Sequence, residues 1–348
     1  MQTDDSRELF HATCSGIKTA RPPFWVMRQA GRYLPEYRAL KEKYGFLQIV
    51  KTPELALEAA LQPMRRFDFD CSILFSDILA VSEALGYPYN FRQEGGIYLE
   101  KTVSSKADIE AMPEACAVCE KLSYTAQALK LMRKEMPRKA LIGFAASPFT
   151  LAAYMVEGGS AKGGFPKFAE FMKNSPEEFG LLLSKLTEVL SAVALMQISC
   201  GIDAFQIFDS NAALTPQDAY EKFSGGYIGE ILQNMGGRAR TMVFAKGMSA
   251  RFAEVAPMGA DVYSLDSSAR LSHIMLTYRA HYSLQGNLDE KLLSEASSQT
   301  VRLETKRILE DMAPLGRHIF NLGHGILPDA KLENVEAMCD TVKNFKAQ

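Results

Sequence analysis

Residues 22–38 read PPFWVMRQAGRYLPEYR. Two prolines open the stretch, an apolar run Phe24–Met27 follows, and the run stops abruptly at Arg28. The run carries the only tryptophan of the chain, Trp25. Read as a strand, it has seven counterparts: Ser72–Phe75, Ala140–Phe144, Ala204–Phe208, Thr241–Ala245, Asp261–Leu265, Tyr282–Gln285 and His318–Leu322. Between them lie segments of helical periodicity, among them Pro53–Phe67, Lys106–Glu135, Pro176–Ile198, Pro216–Met235 and Leu288–Met312. Eight short strands, each followed by a helix, predict an α/β chain folded as a single-domain (β/α)8 TIM barrel over residues 1–348. An open doubly wound sheet would want a glycine-rich turn after the first strand, and RQAGR lacks the G-x-G-x-x-G spacing.

In such a barrel the carboxyl ends of all eight strands face one mouth, where active sites are built. The runs end in FWVM-RQ, ILF-SD, IGF-AASP, QIF-DSN, VFA-KG, SL-DS, LQ-GN and FNL-GHG. Arg28, Asp77, Asp209, Ser210, Lys246, Asp266, Asn287 and His324 are therefore expected to converge, with Asp266, Ser267 and Asn287 as candidate helix N-caps. If the segment after Met27 turns helical, Arg28 and Arg32 share one face about 6 Å apart, a repulsion that calls for an anion between them. Asp77 sits against Ile78, Leu79 and Ala80, so desolvation raises its pKa while nearby arginines lower it.

Tyr154 lies in SPFTLAAYMVEGG, where Ser147–Pro148 reads as a helix start. His324 stands between two glycines that let backbone approach a ligand, directly after the last strand, where barrel loops often receive anionic groups. His11, His273, His281 and His318 have no comparable setting. Lys246 reads either as a Schiff-base lysine or as a strand-end lysine facing water or a ligand carboxylate. The stretch Gly158–Lys162–Gly164 does not fit a phosphate-binding loop and reads as a candidate lid at the rim.

Composition narrows the function classes. A hydrophobic content of 47% and a net charge of −2 suit a globular protein with a large core and give no general pull toward nucleic acid or an anionic membrane. Charge is instead local: residues 16–44 hold seven basic and two acidic side chains, which favours a small polyanion. The six cysteines are scattered, as in a reducing compartment, and the lone Cys116-x-x-Cys119 pair is weak evidence for metal or redox chemistry. MQTDDSRELF carries no apolar signal core, and no run is expected to reach the roughly 18 apolar residues of a membrane span. The expectation is a cytoplasmic protein.

Taken together, PPFWVMRQAGRYLPEYR, ILFSDIL, SPFTLAAYMVEGGS, Phe208–Ser210, QGNLD and IFNLGHGILPD resemble the uroporphyrinogen decarboxylase family over nearly the whole chain. The resemblance implies a (β/α)8 barrel, a homodimer, and removal of four acetate carboxyls from a tetrapyrrole substrate with no cofactor and no metal. It places catalysis on Asp77 and Arg28, and substrate contacts on Arg28, Gln29, Ala30, Gly31, Arg32, Phe46, Asp77, Tyr154, Ser210 and His324. Two departures are local: where the family shows a tryptophan-containing stretch after the aspartate, Ser267 and Ser268 follow Asp266 here, and the Lys162–Gly164 loop is altered. Two rivals remain at this point, a corrinoid- or thiol-dependent methyltransferase on the same barrel and a non-catalytic tetrapyrrole-binding protein.

Overall fold

Nine strands appear among the described residues of the computed structural model, which are 5–92, 95–160, 164–279 and 281–346. They are β1 (Cys71–Ile73), β2 (Tyr89–Phe91), β3 (Ile97–Leu99), β4 (Ala140–Ala146), β5 (Ala204–Asp209), β6 (Arg240–Ala245), β7 (Val262–Ser264), β8 (Ser283–Leu288) and β9 (His318–Leu322). Seven of them pair in the order β1-β4-β5-β6-β7-β8-β9, every pair parallel, while β2 and β3 form a separate antiparallel hairpin. Their near-continuous burial is what a parallel sheet covered on both faces requires.

The expected first strand survives only as a seam. Phe24 forms a single parallel bridge to Phe320 of β9. Phe320 N donates to Pro23 O at 2.9 Å and Trp25 N to Phe320 O at 3.2 Å, while on the other side Asp70 N donates to Phe24 O at 3.0 Å. Prolines 22 and 23 have no N–H to extend the ladder, and Met27 N turns to the Asn321 side chain at 3.1 Å. The seam closes the ring between β9 and β1.

A buried polar chain crosses the barrel interior. Trp25 Nε1 donates to Gln285 Oε1 at 2.7 Å, Gln285 Nε2 donates to Ser264 Oγ at 2.6 Å, and Ser264 Oγ reaches Gln206 Oε1 at 3.5 Å. Each member has its partner, which is the condition for tolerating polar groups in a dry core. At the amino ends of the strands, Asp70, Asp203 and Asp261 each precede a strand and accept an N–H from the neighbouring one: Phe24 at 3.0 Å, Leu141 at 2.8 Å and Thr241 at 2.8 Å. Arg21 grips Asp70 at 2.6 and 2.9 Å, and Asp203 gathers Arg7, His11 and Arg133. This face fixes register and leaves the opposite face free for chemistry.

The helices mostly follow the pattern, with four corrections. The segment 288–312 begins in β8 and holds two helices, Leu292–Glu295 and Ser298–Met312. The segment 106–135 is three helices, Lys106–Glu110, Ala115–Lys121 and Ser123–Glu135, because Pro113 interrupts the backbone ladder. The segment 216–235 starts as a π turn, Glu221–Gly225, before the helix Gly226–Met235. Contrary to expectation, the helix Pro176–Ser199 is long and apolar enough to cross a bilayer by length and composition. In this fold it is a core helix, burying Leu182, Leu186, Val189, Leu190 and Val193 and packing on β4 and β5.

Candidate active site

The mouth is built around a turn that the sequence disguises as a helix start. Gln29 N donates to Val26 O at 3.0 Å, closing a four-residue turn whose third residue, Arg28, has φ 64°. A positive φ at that position is where a turn ordinarily asks for glycine. An arginine held there is strained by about 1 kcal/mol or more, and such strain collects at functional sites. The helix begins only at Pro35, so Arg28 and Arg32 do not share a helical face. Both side chains are exposed, and among the described residues neither guanidinium has an ion-pair partner. Gly31 is required here because an added Cβ would lie 2.8 Å from Arg28 O. Ala30 is half-buried behind the turn.

Asp77 ends the segment after β1 and is largely enclosed. Its Oδ1 accepts Leu79 N at 2.8 Å. Burial pushes its pKa up to about 6, while the Leu79 N–H and the nearby Arg28 charge hold it lower than burial alone would. Tyr154 occupies the helix Pro148–Glu157, started by the Ser147 side chain accepting Thr150 N at 2.9 Å. Burial raises the Tyr154 pKa, the Asp77 charge adds to this and Arg28 opposes it. Arg28, Asp77 and Tyr154 thus form one electrostatic unit. Tyr89, buried in the hairpin, feels Asp77 in the same way and was not legible from the sequence.

His324 faces this unit from the end of β9. Its ring meets Phe244 edge-on at 6.1 Å. Burial first, then Arg28 and Lys246, push its pKa down to about 4, against a backbone hydrogen bond with Gly325 that favours the charged ring, so the balance favours the uncharged imidazole at neutral pH. Gly325 is where the backbone comes closest to the arginine: a Cβ there would fall 2.5 Å from Arg28 Cδ. Ile326 N donates to Met27 O at 2.9 Å and locks the two segments together. Phe46 forms an aromatic wall with Phe75 at 5.8 Å and Phe91 at 5.3 Å. Ser210 is half-exposed at the end of β5.

Several expected mouth residues point elsewhere. The Gln29 side chain is buried against Met64 Sδ at 3.6 Å, so only its backbone can face the cleft. Asp209 faces the helix layer, where its carboxylate accepts Ser147, Thr150, Tyr220 and Ser224 hydroxyls at 2.7–2.9 Å. Asn287 lies within β8 and caps no helix; its amide donates to Asp266 O at 2.7 Å and Ala269 O at 2.8 Å. Asp266 closes a local turn onto Ser268 and Ser267 caps no helix, because the next helix, Leu271–Thr277, starts after Arg270 without a side-chain cap. Residues 161–163 of the candidate lid lie outside the described residues, while its first part, Gly158–Ser160, zips onto the hairpin, with Leu99 N donating to Gly158 O at 3.0 Å and Ser160 N to Ile97 O at 2.9 Å. Cys14, Cys71, Cys200 and Cys339 are buried, and among the described residues no three His, Cys, Asp or Glu side chains cluster as metal ligands.

A parallel barrel that brings Arg28 near the desolvated Asp77 at the carboxyl ends of its strands has the architecture of a TIM-barrel enzyme. The uroporphyrinogen decarboxylase family model matches residues 5–345. Relatives called uroporphyrinogen decarboxylase include one from Chlorobium chlorochromatii, 38% identical over 98% of each chain, and one from Alkalilimnicola ehrlichii, 41% identical over 92% of this chain and 89% of that one. The chain belongs to the uroporphyrinogen decarboxylase family. Among solved structures, a methyltransferase from Methanosarcina mazei superposes with TM-score 0.81 at 19% identity over 98% of both chains, a likeness of fold.

Proposed function

We infer that this chain is a carboxy-lyase of tetrapyrrole biosynthesis that converts the four acetate arms of uroporphyrinogen III to methyl groups, giving coproporphyrinogen III. Family membership carries the reaction, and the strained Arg28 beside the desolvated Asp77 carries the assignment of the site. Loss of CO2 from an acetate leaves an electron pair that needs a sink. A pyrrole protonated on a ring carbon is such a sink: the C–C bond to the carboxylate breaks, CO2 leaves and the bonding electrons neutralise the ring cation; the exocyclic methylene then takes a proton to become methyl, and the ring carbon releases the proton it had gained, restoring the pyrrole.

In this reading Asp77, as a carboxylate, accepts hydrogen bonds from the pyrrole N–H groups and stabilises the ring cation. A fixed charge in a dry cleft is worth most where charge develops. Arg28 and Arg32 clamp substrate carboxylates, for which planar guanidinium forks are suited. The uncharged His324 serves as a hydrogen-bonding partner for a carboxylate arm, with Tyr154, Ser210, Phe46 and the backbone of Gln29, Ala30 and Gly31 completing the contacts. Neither arginine releases a proton at ordinary pH, so the ring proton is delivered by water or relayed through His324. The same proposal has one domain, no cofactor, a homodimer and a cytoplasmic location. Its test is Asp77→Asn, expected to lower kcat by about 10²–10³ with a small change in KM; near-normal turnover would remove Asp77 from this role.

A further inference from the structure

Lys246 is a further cation at the mouth. It follows β6, and the alternation of that strand places Met242, Phe244 and Lys246 on one side. Phe244 marks that side as the inner one, since its ring stacks edge-on with Phe208 at 6.3 Å and with His324 at 6.1 Å. Lys246 is therefore carried to the mouth above Phe244. Its backbone N is anchored to Asp209 O at 3.1 Å, and Asp209 is itself fixed by four hydroxyls, so the position is rigid. The side chain is exposed, and among the described residues its amine has no hydrogen bond or ion pair. The charged groups facing His324 are Arg28 from the first turn and Lys246 from β6. An uncharged imidazole between two unpaired cations is an arrangement that costs electrostatic energy until an anion enters.

We propose that Lys246 and His324 form a second carboxylate subsite, beside Arg28 on the β6 side of the mouth, which holds a carboxylate arm of the substrate other than the one held by the Arg28–Arg32 clamp. The proposal rests on the polycarboxylate reading of the site. An ammonium on a flexible stem suits this role because it accepts a carboxylate as a point charge without fixed orientation. It can then follow different arms of one macrocycle, while the guanidinium forks hold one arm in register.

The test uses the full chain with Lys246→Met, which keeps length and removes charge, and Lys246→Arg, which keeps the charge. Fluorescence titration with uroporphyrin III, an inert oxidised probe, reads binding without turnover. Lys246→Met should weaken it about tenfold, and Lys246→Arg should restore at least a third of wild-type affinity. With uroporphyrinogen III the Met variant should raise KM by a similar factor with kcat lowered less than threefold. In the ligand-free protein, NMR titration of His324 should move its pKa upward in the Met variant. Unchanged uroporphyrin affinity in Lys246→Met overturns the subsite, and so does a loss confined to kcat. If neither the wild type nor any variant turns over uroporphyrinogen, the decarboxylase reading fails instead, while uroporphyrin binding and the His324 titration still decide the subsite.

Discussion

Gly325→Ala separates the position of Arg28 from the stability of the fold. Gly325 keeps an ordinary backbone conformation, so alanine adds no backbone strain. The added Cβ would stand 2.5 Å from Arg28 Cδ, 2.8 Å from its Nε and 2.9 Å from its Cγ, where ordinary contacts begin near 3.4 Å. The loop cannot retreat, because Ile326 N is hydrogen-bonded to Met27 O at 2.9 Å. The arginine must therefore withdraw by about 1 Å, and its side chain is exposed and free to do so. A 1 Å misplacement of a positioning group lowers the rate by about a hundredfold. The expected outcome is a loss of roughly that size in kcat/KM for uroporphyrinogen III, with the melting temperature within a few degrees of wild type. Gly323→Ala is the control: its Cβ would meet the backbone N of Ser267 at 2.4 Å, which cannot swing away. That variant should lose about 1–3 kcal/mol of stability. Activity within threefold of wild type in Gly325→Ala, or a melting loss equal to that of Gly323→Ala, would show that Gly325 does not set the position of Arg28.

Arg28→Gly should raise the melting temperature, because glycine suits the left-handed turn position by about 0.5–1 kcal/mol, while turnover disappears; a drop in stability would show that Arg28 packs rather than strains. Asp77 sets a pH dependence of opposite sign for activity and stability. With its pKa raised to about 6, kcat/KM should climb as pH rises through 6. The folded state holds that proton more tightly than the unfolded chain, so the stabilisation is fully present below the unfolded value near 4 and is lost as pH rises through 6. Asp77→Asn should therefore melt higher than wild type at pH 8 and gain less at pH 5, as calorimetry would read. Asp203 behaves in reverse: burial raises its pKa, but His11, the Leu141 N–H, Arg7 and Arg133 outweigh this and hold it at about 2. Its contribution is present above the ordinary value near 4 and is lost as pH falls toward 2, so Asp203→Asn should flatten acid unfolding in that window.

Most of the barrel was legible because parallel strands buried on both faces announce themselves as short apolar runs, as in β4, β5, β6 and β9. The first run misled in one respect: its two prolines and the Asn321 side chain absorb the backbone groups that a ladder would use. The hairpin β2–β3 was missed, although Tyr89–Phe91 and Ile97–Leu99 flank Gly95 and Gly96 and its turn chemistry was there to read. Strand ends told which residues reach the mouth but not on which side of the strand each one lies. Alternation turns Asp209 outward while Phe208 faces in, and only a register fixed by the sheet makes that distinction. The left-handed turn at Arg28 had no sequence signal, since glycine, the residue that would have announced it, is absent there. Asp77 and His324 were legible as polar residues, whereas their perturbed pKa values follow from burial among elements far apart in the chain.

The most direct measurement is incubation of the purified protein with uroporphyrinogen III under reducing, oxygen-free conditions, followed by mass analysis of the products. The expected outcome is stepwise loss of four CO2 ending at coproporphyrinogen III, with that activity lowered about 10²–10³-fold in Asp77→Asn. A product that keeps every carboxyl group would contradict it.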